Sequence, residues 1–188
     1  MNAIDKKTTA LKQFQTKDLA QIALMAAVLC ILGPISLPIG PVPISLTNLA
    51  IYFSLYLLGT KKGTISYLVY MLIGLIGLPV FSGMQGGPQK LFGVTGGYII
   101  GFIFMALIAG LFLEKWPDKL WLHLSGMLLG TAVCYAFGTA WFLVLTDGYT
   151  ILGALAVCVF PFIIGDVIKM ILAMVIAPQI RRRLTGIL

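Results

Sequence analysis

The residues best equipped for chemistry in this chain are an acid and a base, Asp166 and Lys169, in the run P-F-I-I-G-D-V-I-K from Pro161 to Lys169. At i and i+3 on a helix they share one face, with the acid on the N-terminal side, the favourable order for an ion pair. A charge at bilayer depth costs about 2.5 to 3.5 kcal/mol even on a lenient insertion scale, so a sequence that keeps two in an apolar run points to their use. Two readings stand side by side. The pair is a structural salt bridge inside a bundle, or it also meets the donors and acceptors of a ligand and so repays more of its desolvation.

A second base stands apart from other charges. Lys90 lies in P-V-F-S-G-M-Q-G-G-P-Q-K-L-F-G-V-T-G-G, from Pro79 to Gly97, and reads either as a solvated loop charge or as the partner of a carboxylate. Thr47, Asn48, Gln85 and Tyr98 fall at or near the ends of apolar segments and offer neutral hydrogen bonds; each taken alone reads as a cap or packing residue. His123, the single histidine, sits beside Trp121 and near Trp116; an interfacial aromatic belt accounts for it, and one histidine cannot build a metal site. Cys30, Cys134 and Cys158 lack metal-ligand spacing and read as buried free thiols. There is no Ser, His and Asp set, no paired carboxylates and no G-x-x-x-x-G-K-[ST] loop, which argues against an enzyme. ATP hydrolysis, if it drives this protein, belongs to another chain.

These residues need a scaffold, and composition names it. Of 188 residues 60% are hydrophobic and 10% charged, with a mean hydropathy of +1.03. A soluble domain cannot hide that much apolar surface, so the expectation is an all-α integral membrane protein forming one compact bundle. Six apolar segments are expected as helices, at about 18–33, 46–59, 63–79, 95–113, 120–145 and 150–177. A four-helix count is the alternative if the second and third segments merge or re-enter, but Lys61 and Lys62, flanked by Gly59 and Gly63, oppose a merger. The sixth segment places Asp166 and Lys169 near the midplane or somewhat inside it, and a kink or a late start near Pro161 would bring them outward. The run from Leu19 to Leu32 has no small-x-small cleavage pattern before Gly33 and Pro34, so it is expected as a retained first helix.

Charge distribution orients the bundle. Lys6, Lys7, Lys12, Lys17, Lys61, Lys62, Lys115, Lys119, Arg181, Arg182 and Arg183 all fall between or beyond segments on one side, whereas the opposite loops carry only Lys90 and Asp147. The positive-inside rule then predicts a multi-pass protein of the cell membrane with both termini cytoplasmic. The net charge of +7 is explained by this topology rather than by nucleic acid. The first outer loop, G-P-I-S-L-P-I-G-P-V-P-I-S from Gly33 to Ser45, has four prolines and no charge, and reads as a stiff flap. In the third, Gly93, Gly97 and Gly101 form a small-xxx-small face for close helix packing. Ala23 and Ala27 form an A-x-x-x-A face on the first helix, either packing inside the bundle or docking a partner helix.

Four stretches together resemble one family: P-V-P-I-S-L-T-N from Pro41, G-L-P-V-F-S-G from Gly77, G-V-T-G-G-Y-I-I-G-F from Gly93 and P-F-I-I-G-D-V-I-K from Pro161. In that order, over nearly the whole chain, they resemble the BioY family, the biotin-specific substrate-capture subunits (S components) of energy-coupling factor transporters. The resemblance implies a six-helix subunit that holds biotin at its extracellular side under the first loop, with no cofactor. It implies a transmembrane coupling subunit and two ATPases as partners, with the coupling subunit docking at Ala23 and Ala27. Asp166 and Lys169 match the family's polar pair and would contact the ligand, Asp166 accepting from a ureido N–H and Lys169 donating to an acceptor. Where the family often has Thr-Leu-Gln-Thr this chain has Ser45-Leu46-Thr47-Asn48, and Gly-Pro-Thr-Gly-Gly becomes Gly93-Val94-Thr95-Gly96-Gly97. The base that meets the carboxylate is often an arginine of the third outer loop, where this chain has Lys90. A stand-alone ion-coupled carrier of a small carboxylate or vitamin, with Asp166 as proton site, is the alternative function; such carriers often show internal repeats, and none is visible here.

Overall fold

The computed structural model describes residues 15–38 and 41–185, so Lys6, Lys7 and Lys12 lie outside the described residues. The first helix, α1 (Thr16–Leu32), opens with the Asp18 carboxylate accepting the Gln15 N–H at 3.1 Å. Its buried residues, Ile22, Met25, Ala26 and Leu29, recur at three- and four-residue spacing and form one packing stripe.

Next comes a departure from an all-helical chain. The strands β1 (Ser36–Leu37) and β2 (Ile44–Ser45) pair antiparallel, with Ser36 opposite Ser45 and Leu37 opposite Ile44. Pro34, Pro38, Pro41 and Pro43 bar a helix here, and a two-residue ladder satisfies peptide groups that the prolines leave open.

The second helical run, α2 (Thr47–Leu75), bends at Gly59, whose φ of 81° and ψ of 174° are far from helical. Glycine alone adopts that conformation cheaply, so the run is two limbs meeting at a corner. Lys61 and Lys62 belong to the second limb. The Glu114 carboxylate accepts the Thr60 N–H at 2.7 Å, and Lys62 Nζ reaches Asp18 Oδ1 at 2.6 Å and Gln21 Oε1 at 2.8 Å. The corner, the start of α1 and the end of the later helix carrying Glu114 are thereby gathered at one face.

After a short turn, α3 (Pro88–Leu91), come α4 (Gly96–Lys115) and α5 (Leu120–Leu145). A Cβ at Gly97 would lie 2.3 Å from Trp141 Cβ, so only glycine lets α4 and α5 approach so closely. Gly93 does not share that face: it lies in the turn before α4, where a Cβ would meet the Gln89 carbonyl at 2.6 Å.

The last apolar segment is two helices, α6 (Ile151–Cys158) and α7 (Phe160–Thr185). Val159, at φ −130° and ψ −57°, breaks them apart. Pro161 falls in the first turn of α7, where no intrahelical partner awaits its missing N–H. Pro178 does not stop α7, which runs on to Thr185. Among the described residues, three helical stretches are long and apolar enough to cross a membrane: Gly96–Lys115, Leu120–Leu145 and Phe160–Arg183.

His123 is not a belt residue. It is buried, with Nδ1 3.1 Å from the Tyr56 hydroxyl and Nε2 2.9 Å from the Trp116 carbonyl, so it ties α2, α4 and α5 together near the Gly59 corner. Its neighbour Trp121 is exposed.

Candidate functional site

At the end of the bundle away from that corner, β2, the start of α2, the start of α4, the middle of α5 and the α6–α7 junction surround a cavity of about 710 Å³, measured out to its mouth. One wall is aromatic. Tyr70 packs edge-on against Phe81 (centroids 5.6 Å apart), and Tyr67 against Phe102 (6.0 Å). The phenol groups on this wall are anchored: Tyr70 donates to the Val80 carbonyl at 3.0 Å and Tyr67 to the Ile99 carbonyl at 2.6 Å.

Another part of the lining is polar and charged. Lys169 Nζ lies 3.0 Å from Asp166 Oδ1, and both residues are only 7% exposed. The same ammonium donates to Asn48 Oδ1 at 3.1 Å and to the Ser45 carbonyl at 2.7 Å. An ammonium has three N–H donors, and all three are committed. Asp166 Oδ2 accepts from the Tyr135 hydroxyl on α5. Asn48 Oδ1 also accepts the Leu49 N–H at 3.0 Å, and Thr47 Oγ1 accepts the Ser45 hydroxyl at 3.0 Å. Tyr98 spans to α5 and α6, with its hydroxyl 3.0 Å from Thr139 Oγ1 and 3.3 Å from the Cys158 carbonyl.

The break at Val159 is what makes this possible. It starts α7 six positions before Asp166, so the charged pair sits about two turns inside a helix rather than halfway along one long rod. A buried charge pair, an amide and hydroxyls sharing one cavity with aromatic rings suit a small molecule with an apolar body and a compact polar head.

Of the residues expected to converge, Thr47, Asn48, Tyr98, Asp166 and Lys169 do line this cavity. Gln85 and Lys90 do not. They line a separate depression with Gly86 and Gln89. The cause is local: Phe81 and Gln85 exchange backbone hydrogen bonds of 2.8 and 3.3 Å around a tight turn, so Phe81 points into the bundle and carries Gln85 outside it. The single turn of α3 then buries Leu91 and leaves Lys90 on the Gln85 side. Partial burial there pulls the Lys90 pKa below the ordinary lysine value. Ala23 and Ala27 are exposed on α1, outside its buried stripe.

Sequence reasoning passed over Tyr135, Thr131 and the Ser45 carbonyl. A signal for the first two was present: Thr131, Cys134, Tyr135, Gly138 and Thr139 repeat at three- and four-residue spacing and put a small, polar stripe on an apolar helix. The Ser45 carbonyl left no trace in side-chain types.

Fold and site together define an apolar, helix-rich protein of the membrane class with a cavity, bordered by a hairpin strand, that suits a small ligand. More narrowly, the BioY family model matches residues 6–186, and the chain belongs to the BioY family. It is 37% identical over 166 residues to the biotin transporter BioY of Thermotoga maritima, covering 88% of this chain and 96% of that one. It is 35% identical over 167 residues to the probable biotin transporter BioY of Pyrococcus horikoshii, covering 89% and 98%. The crystal structure of the S-component for biotin from an ECF-type ABC transporter superposes with a TM-score of 0.80 at 35% identity, over 97% of this chain and 95% of that one.

Proposed function

We propose that this chain is the biotin-capturing subunit of an energy-coupling factor transporter. The observation that carries the reading is the buried Asp166–Lys169 pair, set with Asn48 and Tyr135 in the lining of a cavity that also holds the aromatic side chains Tyr67, Tyr70, Phe81 and Phe102. Biotin matches that division, with a ureido group at one end of an apolar bicycle and a carboxylate on a flexible chain. Membership of a family of biotin transporters, and likeness to a biotin S-component, support the same ligand.

In this proposal the chain is a single membrane domain of six spans: α1, the two limbs of α2, α4, α5, and α6 with α7. Both termini are cytoplasmic, and the cavity opens to the outside of the cell membrane. The contacts of Lys62 with Asp18 and of Glu114 with Thr60 support this topology by gathering the ends near Lys61, Lys62 and Lys115 at one face. A transmembrane coupling subunit and two ATPases complete the machine, and the exposed Ala23 and Ala27 form the docking stripe for the coupling subunit. Biotin is cargo, and the site uses no cofactor.

Titration of the purified, detergent-solubilised chain with biotin tests the reading. Saturable binding that Asp166→Asn weakens is the expected result; no binding, or full affinity in the variant, refutes it.

A further inference from the structure

Among the described residues that line the cavity, Asp166 and Lys169 alone carry charge, and neither is placed to receive an anion. The Lys169 ammonium has three N–H groups, and they go to Asp166 Oδ1, Asn48 Oδ1 and the Ser45 carbonyl. A carboxylate brought beside it would also stand next to the Asp166 carboxylate, and two like charges in one buried site repel. The rest of the lining is neutral. Where it meets exposed chain, at Val42 beside Pro41 and at Ser82 beside Gly83, it offers an apolar side chain and a hydroxyl. Ile39 and Gly40, which fall between β1 and β2 in sequence, carry no charge either. Lys90 is the one charged residue between α2 and α4, and it belongs to a separate depression with Gln85, Gly86 and Gln89, beyond the Phe81–Gln85 bridge.

We infer that the cavity selects biotin by its ring system and leaves the carboxyl end of its side chain unread, so that the chain also captures biotin whose carboxyl is tied up as an amide. That class includes biotinyl-lysine, the fragment left when a protein carrying biotin on a lysine side chain is digested. The inference rests on the proposed biotin site and widens its substrate class. The physical reason is desolvation. Moving a carboxylate from water into a lining without a counter-charge is costly, and nothing in this lining repays it. The carboxylate therefore stays in water at the mouth, where an exposed charge adds little to affinity. A neutral amide in the same place gives up no ion pair. It also avoids the penalty that a carboxylate meets whenever the tail is drawn inward.

The test is calorimetric titration of the full chain in detergent with three probes: biotin, its primary amide, and biotinyl-lysine. The primary amide keeps the size of the acid and removes only its charge, and biotinyl-lysine adds bulk beyond the amide. All three are expected to bind within about threefold of one another. A carboxylate held by a buried base would instead make the amides roughly 10- to 100-fold weaker, the scale of one hydrogen bond to a charged group. Lys90→Gln is titrated with biotin alongside them and is expected to match the wild type. Either amide binding tenfold or more weakly than biotin, or a Lys90→Gln protein that loses biotin by that factor, overturns the inference and leaves the proposed function standing. A wild type that binds no biotin refutes the proposed function and the inference with it.

Discussion

Lys169→Met isolates what the buried pair contributes. The methionine fills much of the lysine's volume, but Asp166, only 7% exposed, is left without its cation, and the Ser45 carbonyl loses its 2.7 Å donor. Breaking one half of a buried pair costs about 3–5 kcal/mol. Asn48 Oδ1 keeps the Leu49 N–H and is not orphaned, so it adds little to that range. For a chain of this size each kcal/mol is worth roughly 2–4 °C, which predicts a loss on the order of 10 °C in melting temperature. Removing both charges, in Asp166→Leu/Lys169→Met, leaves two apolar side chains where the ions were, and such replacements are often neutral. The double variant is expected to recover stability to within about 1–2 kcal/mol of wild type, the residue being the lost acceptor of Tyr135. It binds no biotin. Thermal unfolding followed by tryptophan fluorescence, in a cycle with the Asp166→Leu single variant, measures all four corners. A Lys169→Met protein as stable as wild type, or a double variant no more stable than the singles, refutes the argument that the charges are held in place by each other.

Gly97→Val drives a branched side chain toward Trp141, whose Cβ would lie 2.3 Å from the new Cβ, and is expected to cost about 1–3 kcal/mol in thermal stability. Gly165→Ala is the control: nothing lies within 4 Å of its Cβ position, so a helix-propensity gain of up to about 1 kcal/mol is expected in the same assay. Ala23→Trp/Ala27→Trp places two large side chains on an exposed stripe; biotin affinity is expected to hold while co-purification with the coupling subunit is lost. For Lys90, burial lowers the folded-state pKa below the ordinary lysine value of 10.5, so the unfolded chain binds more protons in the interval between the two values. Stability therefore gains as pH rises through that interval below 10.5, and Lys90→Gln is expected to flatten the gain in alkaline melting curves.

The parts of this architecture that were legible from sequence are those written in side-chain type. The uninterrupted apolar runs coincide with α4 and α5, and the Gly59-Thr60-Lys61-Lys62-Gly63 stretch marks a corner because two lysines have nowhere to go in a bilayer. Asp166 and Lys169 stand out for the same reason. What could not be read depends on direction rather than type. The break is an intermediate case: Pro161 marks a kink or late start near it, as the structure bears out, but nothing in I-L-G-A-L-A-V-C-V-F singles out Val159 as the residue that leaves the helix. Gln85 and Lys90 were grouped with the cavity because they share its side of the bundle, yet one bridge between Phe81 and Gln85 turns the segment so that the aromatic enters and the polar residues stay out. Trp121 and Trp116 beside His123 suggest an interfacial belt, whereas two hydrogen bonds make the histidine a buried strut.

The helix break and the committed lysine solve one problem between them. A charged pair midway along a continuous span has only its own helix and its neighbours to meet its hydrogen-bonding needs, and a ligand arriving from one side would have to reach the midplane. Ending α6 at Cys158 and starting α7 at Phe160 frees room beside Tyr98 and Phe162, and both line the cavity with Asp166. Lys169, one turn deeper, then reaches across to Asn48 and Ser45 at the head of α2. The cost of burying its charge is met by protein acceptors before any ligand arrives, so the binding energy of the ligand need not organise the site. Such preorganisation favours affinity by sparing the ordering of side chains on binding.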